Sequence, residues 1–125
     1  MKALILFLIL VCPAFAGAPK QIDISGYTAF SSLSKESASS EGTKTAQSDF
    51  KKGLFRILIY GEAGSLFPTE IYLQKNYGVE PLRIAYCVVT EGLVSGADQY
   101  NKTMQSLLNR KFGKDIFEEA KLKTK

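Results

Sequence analysis

A nine-residue run, Leu82-Arg83-Ile84-Ala85-Tyr86-Cys87-Val88-Val89-Thr90, constrains the fold of this chain more than any other stretch. It is rich in the β-branched and aromatic residues that suit a pleated, buried surface. In extended backbone, Leu82, Ile84, Tyr86 and Val88 point one way, and Arg83, Ala85, Cys87 and Val89 the other. Only Arg83 is charged, so from Ile84 onward both faces can be buried, as in an inner strand. The run predicts a strand near 82–90. Leu54 to Tyr60 has the same character, with Ile57-Leu58-Ile59-Tyr60 as a continuous apolar block, and predicts a strand near 54–60.

Between the two runs lies a helix pattern. Gly61-Glu62-Ala63-Gly64-Ser65 turns the chain. Pro68 suits a first helical turn, Glu70 and Lys75 match the two ends of the helix dipole, and Gly78 can close the helix in a left-handed conformation. The helix is expected near 68–77. Two strands joined through a helix are most simply parallel, with a right-handed crossover.

After the second run, Ser95 with Asp98 resembles a capping box. Ala97, Tyr100, Met104, Leu107 and Leu108 fall on one face of a helix near 96–111, which Gly113 can end. Asp115 and Glu118 open a shorter C-terminal helix with Ile116, Phe117 and Ala120 on its apolar edge. Upstream, Ile22 and Ile24 alternate with Asp23 and Ser25, predicting an extra N-terminal strand over Ile22 to Phe30. Ser31 to Asp49 is dominated by serine, threonine and charge, and Leu33 is its one large apolar residue. Such a segment buries too little surface to offset its ordering entropy and reads as flexible. The expected fold is a small single α/β or α+β domain with a β-α-β-α core. Residues 17–49 add a strand and a Ser-rich flexible segment, and 50–125 form the compact part.

The first residues have a different purpose. Met1-Lys2 is a short positive start, Ala3 to Val11 is unbroken apolar sequence, and Ala14-Phe15-Ala16 offers small residues at the positions a signal peptidase reads. Residues 1–16 therefore read as a secretory signal peptide. The apolar run is too short to span a bilayer, which takes roughly 20 residues. Val11 ahead of Cys12 disfavours a lipoprotein signal. The net charge of +4 falls by one when Lys2 is removed. That mild balance calls for neither nucleic acid nor an anionic membrane. Cys87 is the one cysteine beyond the signal, so no internal disulfide is expected.

Histidine is absent. Its absence excludes Ser-His-Asp and Cys-His catalysis and removes the commonest transition-metal ligand. With a single cysteine beyond the signal there is neither a CxxC redox pair nor a zinc cluster. No cofactor is expected. Cys87, inside an apolar strand, reads as a small buried hydrophobe. The basic residues Arg110, Lys111, Lys114, Lys121, Lys123 and Lys125 are interrupted by Asp115, Glu118 and Glu119 and read as a solvated helix face. Asn101-Lys102-Thr103 matches a glycosylation sequon, but its helical setting makes it a poor acceptor.

Candidate ligand-binding residues lie in the loops past the two strands: Gly61, Glu62, Gly64 and Ser65 after the first, Thr90 and Glu91 after the second. If the strands are parallel neighbours, these residues meet at the sheet end where open α/β sheets bind ligands. The glycine loop lacks both the P-loop lysine and the dinucleotide spacing, and Glu62 would repel an anion. Tyr72, Tyr77 and Tyr100 are further candidate contacts. The leading expectation is a secreted or periplasmic, non-enzymatic domain that binds a protein or small-molecule partner, with no stable membrane insertion once the signal is cleaved. Two alternatives stand beside it. One is a carboxylate- or metal-dependent hydrolase using Glu62 and Glu91. The other is an envelope structural protein assembling through a sheet edge.

Overall fold

A computed structural model describes residues 22–61 and 66–125 of the chain; the signal-peptide reading falls outside them. The domain is α+β, with a two-stranded parallel sheet set among helices. In chain order the elements are α1 (Ser25–Thr28), a 3₁₀ turn (Ala29–Ser32), α2 (Lys35–Lys51), β1 (Arg56–Ile59), α3 (Pro68–Tyr77), β2 (Glu80–Arg83), α4 (Glu91–Phe112) and α5 (Ile116–Lys123).

The expected β-α-β-α order and parallel pairing are present, with Leu58 opposite Leu82 in register. α3 has the predicted bounds: Pro68 opens it, Glu70 Oε1 accepts from the Phe67 N–H at 3.0 Å, and Gly78 closes it at φ 69°. A residue with a Cβ is strained at that angle. α4 is longer than expected because it starts at Glu91. Its cap is not the Ser95–Asp98 pair but Thr90, whose side chain accepts from the Leu93 N–H. Ser95 sits inside the helix and donates to the Lys35 carbonyl.

Three expectations are corrected. The N-terminal strand does not form; Ser25 to Ser32 is helical, and Tyr27 and Phe30 are buried from it. The alternation at Ile22 to Ser25 was too brief to fix a period. Ser31 to Asp49 is not flexible either. It becomes α2, capped by Ser34, which accepts from the Ser37 N–H. The packed unit therefore begins ahead of residue 50. The third correction concerns the strand expected over 82–90, which spans only Glu80–Arg83. Ile84 still donates to Ile59 at 2.9 Å, and the backbone then leaves the sheet because β1 offers nothing further to pair with.

α2 and α4 form the most extensive helix contact in the domain. α2 buries Ala38, Gly42, Ala46 and Asp49, and α4 buries Gly92, Gly96, Tyr100, Met104 and Leu108. The small residues among them, Ala38, Gly42 and Ala46 on α2 and Gly92 and Gly96 on α4, recur every fourth position and let the helices approach closely. A Cβ on Gly42 would overlap the Gly96 carbonyl oxygen, and one on Gly96 would overlap the Phe30 ring. Tyr100, Met104, Leu108 and Ile116 complete the core with Leu58, Leu73, Val79, Leu82 and Leu93. Tyr100 is fully buried, not a surface contact, while Tyr72 and Tyr77 are half-buried.

A buried polar chain threads this core. The hydroxyls of Tyr27 and Tyr100 both donate to Asp49 Oδ2, at 2.6 and 2.7 Å. Arg56 Nη1 donates to the Tyr27 hydroxyl at 2.6 Å, and its Nε pairs with Glu80 at 3.2 Å. Burial, reinforced by Asp49, pushes the Tyr27 and Tyr100 hydroxyls above the ordinary tyrosine range.

The outer edge of β1 is closed by a side chain. Asn101 of α4 accepts from the Leu58 N–H at 2.8 Å and donates to the Leu58 carbonyl at 2.9 Å, as a neighbouring strand would. On the far edge, Pro81 has no N–H to offer. Both devices blunt an edge against casual pairing. Asn101→Ala strands two half-buried backbone groups and is expected to cost about 2 kcal/mol, read as a lower urea midpoint at unchanged m-value. An unchanged midpoint would mean that water replaces the amide without loss.

At the opposite end, α3 and α5 are joined through Glu119, which accepts from the Tyr72 and Tyr77 hydroxyls and pairs with Lys114 at 2.8 Å. Lys114 and the two tyrosines hold its carboxyl down at about 2, against an ordinary value of 4.5. A carboxyl depressed on folding adds stability that is complete above its unfolded value and is lost as pH falls through its folded value. The acid loss of stability between pH 4.5 and about 2 should therefore be shallower in Glu119→Gln, and a carbon-detected titration of Glu119 should have its midpoint near the lower figure. A midpoint at the ordinary value would show that the cluster does not persist in solution.

Candidate functional site

Because β1 and β2 are parallel, the chain leaves both at the same end of the sheet. From β1 it runs through Tyr60 and Gly61, and it returns at Leu66 and Phe67 to start α3. From β2 it runs through Ala85 to Thr90 to start α4. Arg83 ties the two exits together, donating from Nη1 to the Gly61 carbonyl at 3.3 Å and lying 5.1 Å from the Tyr86 ring centroid. This is the sheet end that the parallel reading singles out.

Of the residues expected to bind there, Gly61, Thr90 and Glu91 are described. Gly61 stands at φ 102° and gives its carbonyl to Arg83. Glu62, Gly64 and Ser65 lie outside the described residues. Thr90 is committed to structure: its hydroxyl caps α4 and donates to the Ser31 carbonyl at 3.1 Å. Glu91 lies in the first turn of α4, not in a connecting loop, and its side chain is exposed. It lines an open groove of about 670 Å³ along α4, together with Lys35, Ser39, Ser95, Asp98 and Lys102. Two acids and two lysines line it. Asp98 already accepts from the Tyr60 hydroxyl at 2.7 Å, and burial together with this acid pushes Tyr60 up to about 12. Among the described residues, no three His, Cys, Asp or Glu side chains are grouped so as to hold a metal ion.

What the sheet end does present is apolar. Leu66, Phe67, Ile71, Tyr86, Val88 and Val89 are exposed, and among the described residues the only other exposed large hydrophobic is Leu122 on α5. Phe67 is 68 % exposed, Tyr86 59 % and Val88 88 %. Cys87 is exposed among them as a free thiol, contrary to the buried position expected for it. Scattered single hydrophobics are ordinary on a surface, whereas a concentration at one place marks an interaction site.

β1 is four residues long, and a nine-residue run cannot pair along its whole length with so short a neighbour. The surplus, Ala85 to Thr90, had either to find a third strand or to lie open. No helix among the described residues is long and apolar enough to cross a membrane. Comparison of the chain with protein-family models, with curated proteins and with solved structures returns no match.

Proposed function

We propose that this is a small exported, non-enzymatic protein that binds a protein partner through the apolar rim at the C-terminal end of its sheet. One observation carries the reading: Phe67, Tyr86 and Val88 stand open to solvent on the two segments that leave the parallel strands. Holding such side chains in water forgoes about 1.5–3 kcal/mol apiece relative to burial, and a partner recovers that energy. Three points support the rest. The N-terminal sequence has the three parts of a secretory signal, which supports a periplasmic or extracellular location. The sequence contains no histidine for the common base-assisted hydrolytic mechanisms. Thr90 is engaged in capping, and Glu91 sits in a groove where lysines already balance the acids.

The test is site-specific photo-crosslinking in the producing cell. A photoreactive residue at Phe67 or Val88 should give a discrete adduct, and one at Lys44, exposed on α2, should not. Equal patterns from rim and control positions, or no adduct from either rim position, would overturn the reading.

A further inference from the structure

Resting on that reading of the rim, we infer that its partner is a second copy of this chain, joined by antiparallel strand pairing of residues 84–90 about a two-fold axis at Cys87. Segment 84–90 has strand-forming composition and no charge or proline. It lies at the surface with Tyr86, Cys87, Val88 and Val89 exposed. Among the described residues, no backbone N–H from Ala85 to Val89 donates to a protein acceptor. An uncharged, β-prone segment whose backbone donors have no partner among the described residues is a template for pairing with another chain.

The sequence of the segment identifies that chain. Antiparallel pairing centred on Cys87 sets Tyr86 opposite Val88 of the second copy, Ala85 opposite Val89, and Ile84 opposite Thr90. It also sets Arg83 opposite Glu91, the two charges that bracket the uncharged segment. Each pairing occurs twice by symmetry. Aromatic against β-branched and cation against anion are the favourable cross-strand combinations. Centring the axis on Tyr86 or on Val88 loses the Arg83–Glu91 match. Thr90 is extended, at φ −104° and ψ 165°, so pairing leaves α4 in place, while the backbone bend at Tyr86 and Cys87 straightens as the second copy pairs. An isologous contact of this kind closes at two copies and does not propagate.

The register also brings the two Cys87 residues face to face. Directly opposed residues in an antiparallel pair have Cα atoms about 4.5 or 5.5 Å apart, within the span a disulfide bridges. Glutathione disulfide can therefore act as a probe. One Cys87 thiolate displaces a glutathione thiolate to form a mixed disulfide. The other Cys87 thiolate then attacks that bond, releases a second glutathione and leaves the Cys87–Cys87 bridge.

Sedimentation of the purified protein under reducing conditions should show a concentration-dependent monomer–dimer equilibrium. Val88→Lys should raise its dissociation constant about 10-fold or more, with the circular dichroism unchanged because the side chain is solvent-exposed. Leu122→Lys on α5 should leave it unaltered. Arg83→Glu should weaken the dimer, and adding Glu91→Arg should restore it, which a merely structural role for either residue would not produce. In glutathione buffer the bridge should form readily in the native protein and poorly in Val88→Lys. A protein that stays monomeric at all concentrations and forms no bridge overturns the proposal, as does a dimer indifferent to Val88→Lys. Should a monomeric protein still give rim-specific adducts with a different protein in the cell, self-pairing is wrong while the rim stands as a binding surface.

Discussion

Gly42→Ala is expected to lower the stability of this domain by about 3 kcal/mol, although the same change in an exposed helix gains about 1. The sign is set by what the new methyl meets. At Gly42 it meets the carbonyl oxygen of Gly96 and lies 3.1 Å from the amide nitrogen of Tyr100, both in the backbone of α4. A flexible side-chain tip could move aside; a hydrogen-bonded helix backbone cannot without shifting the whole helix. Relief therefore requires α2 and α4 to separate along the contact that buries Ala38, Ala46, Ala97 and Tyr100. Gly26, in α1, supplies the control. Nothing lies within 4 Å of a Cβ placed there, so Gly26→Ala should be neutral or slightly stabilising. Urea unfolding of the two variants beside the parent protein measures both. A Gly42→Ala variant as stable as the parent would mean that the helices do not cross at glycine distance.

The same glycine shows why part of the fold was legible and part was not. The strands near 54–60 and 82–90 announce themselves by large β-branched and aromatic residues, and α3 by proline, opposed charges and glycine in the right order. Such signals are local; α3 forms over the expected residues, whereas the strands form only at Arg56–Ile59 and Glu80–Arg83. α2 has no large apolar face. Its packing surface is Ala38, Gly42 and Ala46, and their value lies in what they permit the partner helix to do rather than in the area they bury. A composition test for disorder counts that segment as empty. The spacing of four, repeated in Gly92, Gly96 and Tyr100, was in the sequence, but only the meeting of the two helices gives it meaning. Tertiary context likewise overrides β-propensity at 84–90. Residues that prefer a strand form one only where a neighbour supplies hydrogen bonds, and β1 ends at Ile59. Tyr86, Cys87 and Val88, which the sequence pattern sends to the interior, are exposed instead, while Thr90 caps α4 and Glu91 opens its first turn.

Asp49→Ala should be the most damaging single truncation of a polar side chain, at about 3–4 kcal/mol, from a domain held by about 5–15. Asp49 is only 7 % exposed, and one of its oxygens accepts from two tyrosines on different elements. Tyr27 comes from the N-terminal helical segment and Tyr100 from the middle of α4, with their rings edge to face at 5.5 Å. Removing the carboxyl leaves the two hydroxyls in unequal positions. Tyr27 still accepts from Arg56 but its own proton loses its acceptor, as does that of the fully buried Tyr100. Tyr100→Phe, which removes one donor and keeps the ring, should cost about 1.5–2 kcal/mol. In that background Asp49→Ala should cost less than it does alone, with a coupling of about 1–2 kcal/mol between the two sites. Equal costs in both backgrounds would show that Tyr100 is served by water rather than by Asp49. The N-terminal segment would then owe its place to Phe30 against Gly96, and the polar chain from Glu80 to Tyr100 would not act as the tie between the helical layer and the sheet.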